Sequence, residues 1–190
     1  MLRRLLRVTG LIGIAVATGV ASSGGPVAEL DLRAFRAANR DRGRRADRLF
    51  GGITELGSIW ASVGAAAVLA ATGRRRAARR GLAAASAAWL AGQGLKKVFL
   101  RPRPYQADLE GVRRRIDPPR ATSWPSSHPA VALAFVTAAG RELSLPRGAR
   151  SLLSALACGV GASRVYVGVH FPSDVLGGLV LGRAVADAFS

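Results

Sequence analysis

Apolar stretches free of charge alternate along this chain with short arginine clusters, and the alternation predicts an all-α architecture. The uncharged runs are Val8–Ala28, Leu56–Gly73, Gly81–Leu95, Ala121–Gly140 (helical from Pro129 onward) and Ser151–Ser163; a sixth apolar segment, Ser173–Phe189, is interrupted by Arg183. A bilayer's hydrocarbon core takes about 20 residues of helix. The first run fills that length and the last two are short for it. The expectation is an integral membrane bundle of about six helices.

Residues 1–28 carry Arg3, Arg4 and Arg7 and then turn apolar, which reads as a first membrane helix or signal anchor. A cleaved signal peptide competes, because the stretch from Ser22 to Ala28 is rich in small residues. Residues 29–50 mix both charge signs. Leu30, Phe35 and Leu49 lend them a weak apolar stripe, so an interfacial helix and a solvated loop fit equally well. Arg74, Arg75, Arg76, Arg79 and Arg80 read as a tight basic turn, and Arg141, Arg147 and Arg150 mark another beside the breaker Leu145-Pro146. The polar, proline-bearing stretch Arg101–Arg120 is a loop or a short surface helix. The whole of 1–190 reads as one domain.

Composition sharpens the membrane reading. Of 190 residues 49% are hydrophobic but only 6% aromatic, so the apolar runs are built mainly from alanine and glycine. Small residues let helices approach closely where lipid removes the hydrophobic drive for packing. The net charge of +17 comes almost wholly from arginine, Lys96 and Lys97 being the only lysines. These charges cluster between apolar blocks, which suits anchors at an anionic lipid surface and not a nucleic-acid face. Cys158 stands alone, excluding an intrachain disulfide or a cysteine metal site, and its apolar surroundings predict a buried, inert thiol.

Charge also orients the bundle. With the N-terminus cytoplasmic, Arg74–Arg80 and Arg141–Arg150 lie inside as well, and three polar islands fall together on the extracytoplasmic face. The seven arginines from Arg33 to Arg48 count against this, softened by the acidic residues among them.

Those islands hold the candidate chemistry. In the third, Pro172 suits the first turn of a helix. Asp174 then stands one turn beyond His170, where its carboxylate can fix Nδ1–H and leave Nε2 as a nucleophile. The plainer reading makes Asp174 a helix N-terminal charge and His170 an interfacial residue. In the second, Pro125-Ser126-Ser127-His128-Pro129, free amides at a helix start make an anion site, Ser126 and Ser127 add hydroxyls, and His128 can protonate a leaving alkoxide. Simple N-capping by serine explains the same residues. In the first, Lys96 and Arg103 converge from a helix end and the extended segment after it. Arg103 and Arg164 can each fork onto two phosphate oxygens, although snorkelling anchors would look alike.

Taken together, Lys-x6-Arg-Pro from Lys96, Pro-Ser-x-His from Pro125 and Ser-Arg-x5-His-x3-Asp from Ser163 closely resemble the three-part signature of the type 2 phosphatidic acid phosphatase family. That family is related to bacterial class A acid phosphatases and vanadium haloperoxidases. The resemblance spans residues 96–174. It implies a helical bundle with the active site at one membrane face and hydrolysis of a phosphomonoester or diphosphate without metal or other cofactor. It further implies His170 as nucleophile, Asp174 as its orienter and His128 as general acid. Lys96, Arg103, Ser126, Ser127 and Arg164 would form the phosphate cradle. The partners expected are a lipid phosphate substrate and membrane lipids. A polyprenyl phosphate, diphosphate or phosphosugar is favoured, with phosphatidic acid or phosphatidylglycerol phosphate as alternatives. A non-catalytic protein that binds anionic lipids is the reading from another class. Ser127 departs from the pattern, standing where the family usually has glycine. If its backbone needs φ > 0, serine there is strained by about 1 kcal/mol or more.

Overall fold

The computed structural model describes residues 1–107 and 111–189. Among these residues the regular structure is helical: α1 (Leu2–Ala21), α2 (Gly25–Ala38), α3 (Gly43–Glu55), α4 (Ile59–Ala71), α5 (Arg75–Val98), α6 (Ser127–Glu142), α7 (Arg147–Tyr166) and α8 (Pro172–Ala188), with a 3₁₀ turn at Pro104–Gln106. The six expected segments are α1 and α4 to α8. The remaining two helices come from the region of mixed charge, which is neither a single surface helix nor a loop.

The boundaries differ from expectation for local reasons. The run Val8–Ala28 is not one helix: a turn follows Ala21, Gly25 takes a left-handed φ of +67°, and Pro26 opens α2. The basic cluster Arg75–Arg80 is not a turn but the first part of α5, since arginine is a good helix former and its long side chains can reach outward. The turn itself is confined to Thr72–Arg74, where Gly73 sits at φ +80°. Between α3 and α4 the chain bends by 64°, and Ser58 caps α4 by accepting from the amide of Ala61 at 3.0 Å.

Helix α6 is the spine. It packs against α5, α7, α8 and α4, while α1 lies along α8. The α5–α6 seam is made of alanine at four-residue spacing, Ala84 and Ala88 against Ala130, Ala134 and Ala138, which brings the two backbones close. Glycines do the same between α6 and α8. A Cβ at Gly182 would stand 2.4 Å from the carbonyl oxygen of Ala130, and one at Gly178 would stand 2.2 Å from that of Ser126.

Large apolar side chains such as Leu6, Val68, Leu90, Leu152, Leu156 and Leu176 point outward from the bundle. Cys158 is exposed on this outer surface of α7, not buried as expected. Among the described residues α1 is the one single helix long and apolar enough to cross a membrane, and α3 and α4 together reach that length and composition across their bend, as a broken span or a re-entrant loop would. Helices α5 and α7 carry charges at their ends and are correspondingly less apolar.

Because α5 to α8 alternate in direction, the C-terminal ends of α5 and α7 and the N-terminal ends of α6 and α8 share one end of the bundle. The N-terminus of α1 meets the C-terminus of α8 at the other, where Arg7 pairs with Asp187 at 2.9 Å and Arg4 donates to the Asp187 carbonyl at 2.8 Å. The three polar islands therefore meet at one end, and the clusters around Arg75–Arg80 and Arg141–Arg150 lie at the opposite one.

Candidate active site

A run of backbone carbonyls, Ala121 to Ser123, gathers the first two cations. Lys96, buried at the end of α5, donates to the carbonyls of Thr122 at 2.7 Å and Ser123 at 3.1 Å. Arg103, held between Pro102 and Pro104, donates from Nε to Ala121 at 2.7 Å, from Nη2 to Thr122 at 3.2 Å and from Nη1 to Val169 at 2.8 Å. Fixed carbonyls orient both side chains without cancelling their charge.

Arg103 also meets the imidazole: its Nη1 lies 3.2 Å from Nε2 of His170. A guanidinium can only donate, so Nε2 is the acceptor and the ring proton sits on Nδ1. That proton faces Asp174, whose Oδ2 is 3.4 Å from Nδ1, within ion-pair reach but too long for a good hydrogen bond. The carboxylate is already held by others. Ser123 donates its hydroxyl at 2.5 Å and Phe171 its amide at 2.8 Å to Oδ2, while Arg101 donates to Oδ1 at 2.7 Å. Asp174 thus combines both sequence readings, capping α8 and facing the imidazole. Burial pushes the pKa of His170 well below its ordinary value, and the charges of Arg103, Lys96 and Arg164 add to the effect. The ring is neutral, with its lone pair on Nε2.

A cavity of about 440 Å³ opens onto this imidazole. Lys96, Arg103, Ser127, His128, Arg164 and His170 line it, and Trp60 and Trp89 form its outer wall between α4 and α5. Arg164 donates from Nη1 to the Thr54 hydroxyl at 2.8 Å, while its buried Nε has no partner. Of the residues expected at the site, two stand outside the cavity lining. Asp174 is behind His170, and Ser126 is fully buried with its amide donating to the Asp174 carbonyl at 2.9 Å. The Ser126 amide is therefore not free for an anion, because a neighbouring helix takes it.

Ser127 opens α6 and is not among the positive-φ residues, so its place in the pattern carries no backbone strain. Its hydroxyl instead fills space above Gly92, where a Cβ would come within 3.1 Å of it. Sequence reading missed Thr54, Arg101 and Ser123. Arg101 stands in the same Arg-Pro-Arg-Pro run as Arg103, a signal that was present; nothing in the pattern marked Thr54 or Ser123. Among the described residues no three His, Cys, Asp or Glu side chains come together in a way that would hold a metal ion.

Comparison with known proteins shows which family and fold the chain shares. The sequence pattern that defines the PAP2 superfamily is matched by residues 76–189. The chain is 34% identical over 91 residues to decaprenylphosphoryl-5-phosphoribose phosphatase of Mycobacterium tuberculosis, covering 48% of this chain and 47% of that protein. It is 35% identical over 95 residues to the undecaprenyl-diphosphatase BcrC of Bacillus subtilis, covering 48% and 45%. The chain thus spans about half the length of the curated relatives it matches. The crystal structure of a transmembrane PAP2 type phosphatidylglycerolphosphate phosphatase from Bacillus subtilis superposes with a TM-score of 0.81 at 22% identity, covering 96% of this chain and 94% of that one. The Aquifex aeolicus LpxE structure superposes with a TM-score of 0.73 at 28% identity, covering 84% and 94%.

Proposed function

Since the chain belongs to the PAP2 superfamily, we propose that it is a membrane lipid phosphatase that works through a phosphohistidine. The observation that carries this reading is His170 at the cavity wall between Arg103, which meets Nε2, and Asp174, which faces Nδ1 from behind, with Nε2 as the unprotonated ring nitrogen. Lys96, Arg103, Arg164 and the Ser127 amide hold the phosphoryl oxygens, where charge spreads in the transition state. Nε2 of His170 bonds to phosphorus as the bond to the lipid oxygen breaks, and protonated His128 gives its proton to that oxygen. Water then attacks phosphorus, returns a proton to His128, and phosphate leaves as the His170 bond breaks. Asp174 faces the imidazolium-like ring throughout. Fixed cations supply the neutralising charge, so the reaction proceeds without a metal ion.

The preferred substrate is a polyprenyl phosphate, diphosphate or phosphosugar. The named activities of the curated relatives support this, as does the apolar wall of Ile59, Trp60, Trp89 and Val131, which offers a path for a lipid tail from the side. The protein crosses the membrane several times with its site on the extracytoplasmic face. Support comes from the exposed apolar side chains of the helices and from the basic clusters sharing the end opposite the site. Phosphate release by purified protein in detergent with EDTA tests the proposal across polyprenyl monophosphate, polyprenyl diphosphate, a phosphorylated polyprenyl-phosphosugar, phosphatidic acid and phosphatidylglycerol phosphate. Release is expected from the polyprenyl members first. Release from the glycerolipids alone would reassign the substrate, and release from none would overturn the enzyme reading.

A further inference from the structure

Asp174 has a cation bonded directly to it, which conflicts with its task. A guanidinium on the orienting carboxylate offsets the negative charge that the imidazole needs when phosphorylation makes the ring positive. The conflict is resolved by a residue far away in sequence. Asp31, on α2, accepts from Nη2 of Arg101 at 2.7 Å, while Nη1 of the same guanidinium serves Oδ1 of Asp174 at 2.7 Å. Asp31 is fixed in turn by the amide of Ser173 at 2.8 Å and its hydroxyl at 2.5 Å, at the start of α8. The Arg101 guanidinium lies 4.3 Å above the Phe171 ring, and its side chain is only 11% exposed, against 4% for Asp31 and 0% for Asp174. In so dry a setting charges are poorly screened and their sum matters.

We propose that Asp31 is a positioning residue: by sharing Arg101 with Asp174 it leaves one uncompensated negative charge facing His170. The cluster is one cation between two carboxylates, and α2, outside the six-helix bundle, completes the nucleophile's support. The inference rests on His170 being the nucleophile. A simpler role would be docking of α2 alone, and charge arithmetic separates the two.

Asp31→Asn keeps the shape and removes the charge; kcat is expected to fall about 10- to 100-fold with KM within about twofold. Arg101→Gln leaves two carboxylates without their cation, which draws a proton onto the resting His170 ring and so also lowers kcat. The double variant Asp31→Asn/Arg101→Gln restores a single negative charge, and its kcat is expected to exceed that of Arg101→Gln by about tenfold. A docking role requires the opposite, with the double variant no better than either single one. The comparison between the double variant and Arg101→Gln stands even if Asp31→Asn alone does not fold. No gain in that comparison, or wild-type kcat in a folded Asp31→Asn protein, overturns the proposal.

A second measurement separates this idea from the phosphatase reading. The chain has two histidines, so ring NMR titration of labelled protein resolves His170, which is faced by Asp174, Arg103, Lys96, Arg164 and His128. Asp31→Asn should lower its pKa and Arg101→Gln should raise it, whether or not any lipid phosphate is hydrolysed. Shifts of the same sign, or none, would sink the charge argument by itself.

Discussion

At one end of the bundle two arginines are buried and held by neutral partners; at the other the arginines are half-buried or exposed, and three of them share one carboxylate. Arg103 and Arg164 are almost fully buried, and the carbonyls of Ala121, Thr122 and Val169 and the Thr54 hydroxyl hold them at the wall of one cavity. At the far end Arg141, Arg147, Arg150 and Arg183 surround a cavity of about 480 Å³ that is comparable in size and contains no histidine. There Asp187 collects Arg7, Arg141 and Arg183, and its role is to tie α1, α6 and α8 together. The residue type is the same at both ends. Neutral carbonyl partners leave a cation's charge available to a substrate, whereas a shared carboxylate consumes it.

The contrast breaks most sharply at His170. His170→Ala should lower phosphate release by a factor of about 10⁴ or more, with the protein still purifying as a folded bundle. Full turnover would remove the nucleophile assignment. Arg103→Lys keeps a charge but loses the planar fork, and a fall in kcat/KM of about 10²- to 10³-fold is expected. His128→Ala should slow alkyl phosphates about 10²-fold while barely affecting an aryl phosphate with a good leaving group. Equal losses on both would show that it is not chiefly the acid.

The pH dependence is a milder test. The proposed attack needs a neutral His170, and burial with Arg103, Lys96 and Arg164 around it holds its pKa well below the usual value. The rate with a good leaving group should therefore stay nearly level as pH falls through about 6.5, where an ordinary imidazole gains its proton. A steep loss there would contradict the neutral ring. At the far end, Arg147→Gln with Arg150→Gln should change kcat/KM by less than about twofold. A large loss would mean that the two ends are not functionally distinct.

Much of this site was legible because its parts lie at helix ends, where motif spacing and the direction of each helix coincide. Lys96, Arg103, Ser127, His128, Arg164 and His170 were all named from sequence and all line one cavity. What escaped depends on contacts between helices. Ser126 has the look of a free helix start, yet the carbonyl of Asp174 takes its amide. The seven arginines from Arg33 to Arg48 count against the expected orientation, and Asp41 and Asp47, which the sequence offers as softening them, pair instead with Arg113 and Arg115 of the long loop. Charge also outweighed helix propensity at Arg75–Arg80, and the apolar run around Cys158 concealed which side of α7 faces outward. Ser127 stands where the family usually has glycine, and the glycine that leaves room for its hydroxyl, Gly92, sits on another helix.

The guanidinium resting on Nε2 of His170 has a consequence for when this protein is reactive. In the proposed mechanism the lone pair that attacks is occupied before substrate arrives, so stray electrophiles meet a covered nitrogen. Only a ligand bearing negative charge competes for the Nη1 proton that Arg103 offers to Nε2, and on the proposed mechanism taking that proton uncovers the atom that attacks. Recognition and arming are then a single event, and an uncharged phosphotriester, however well its tails fit, leaves the nucleophile under guard.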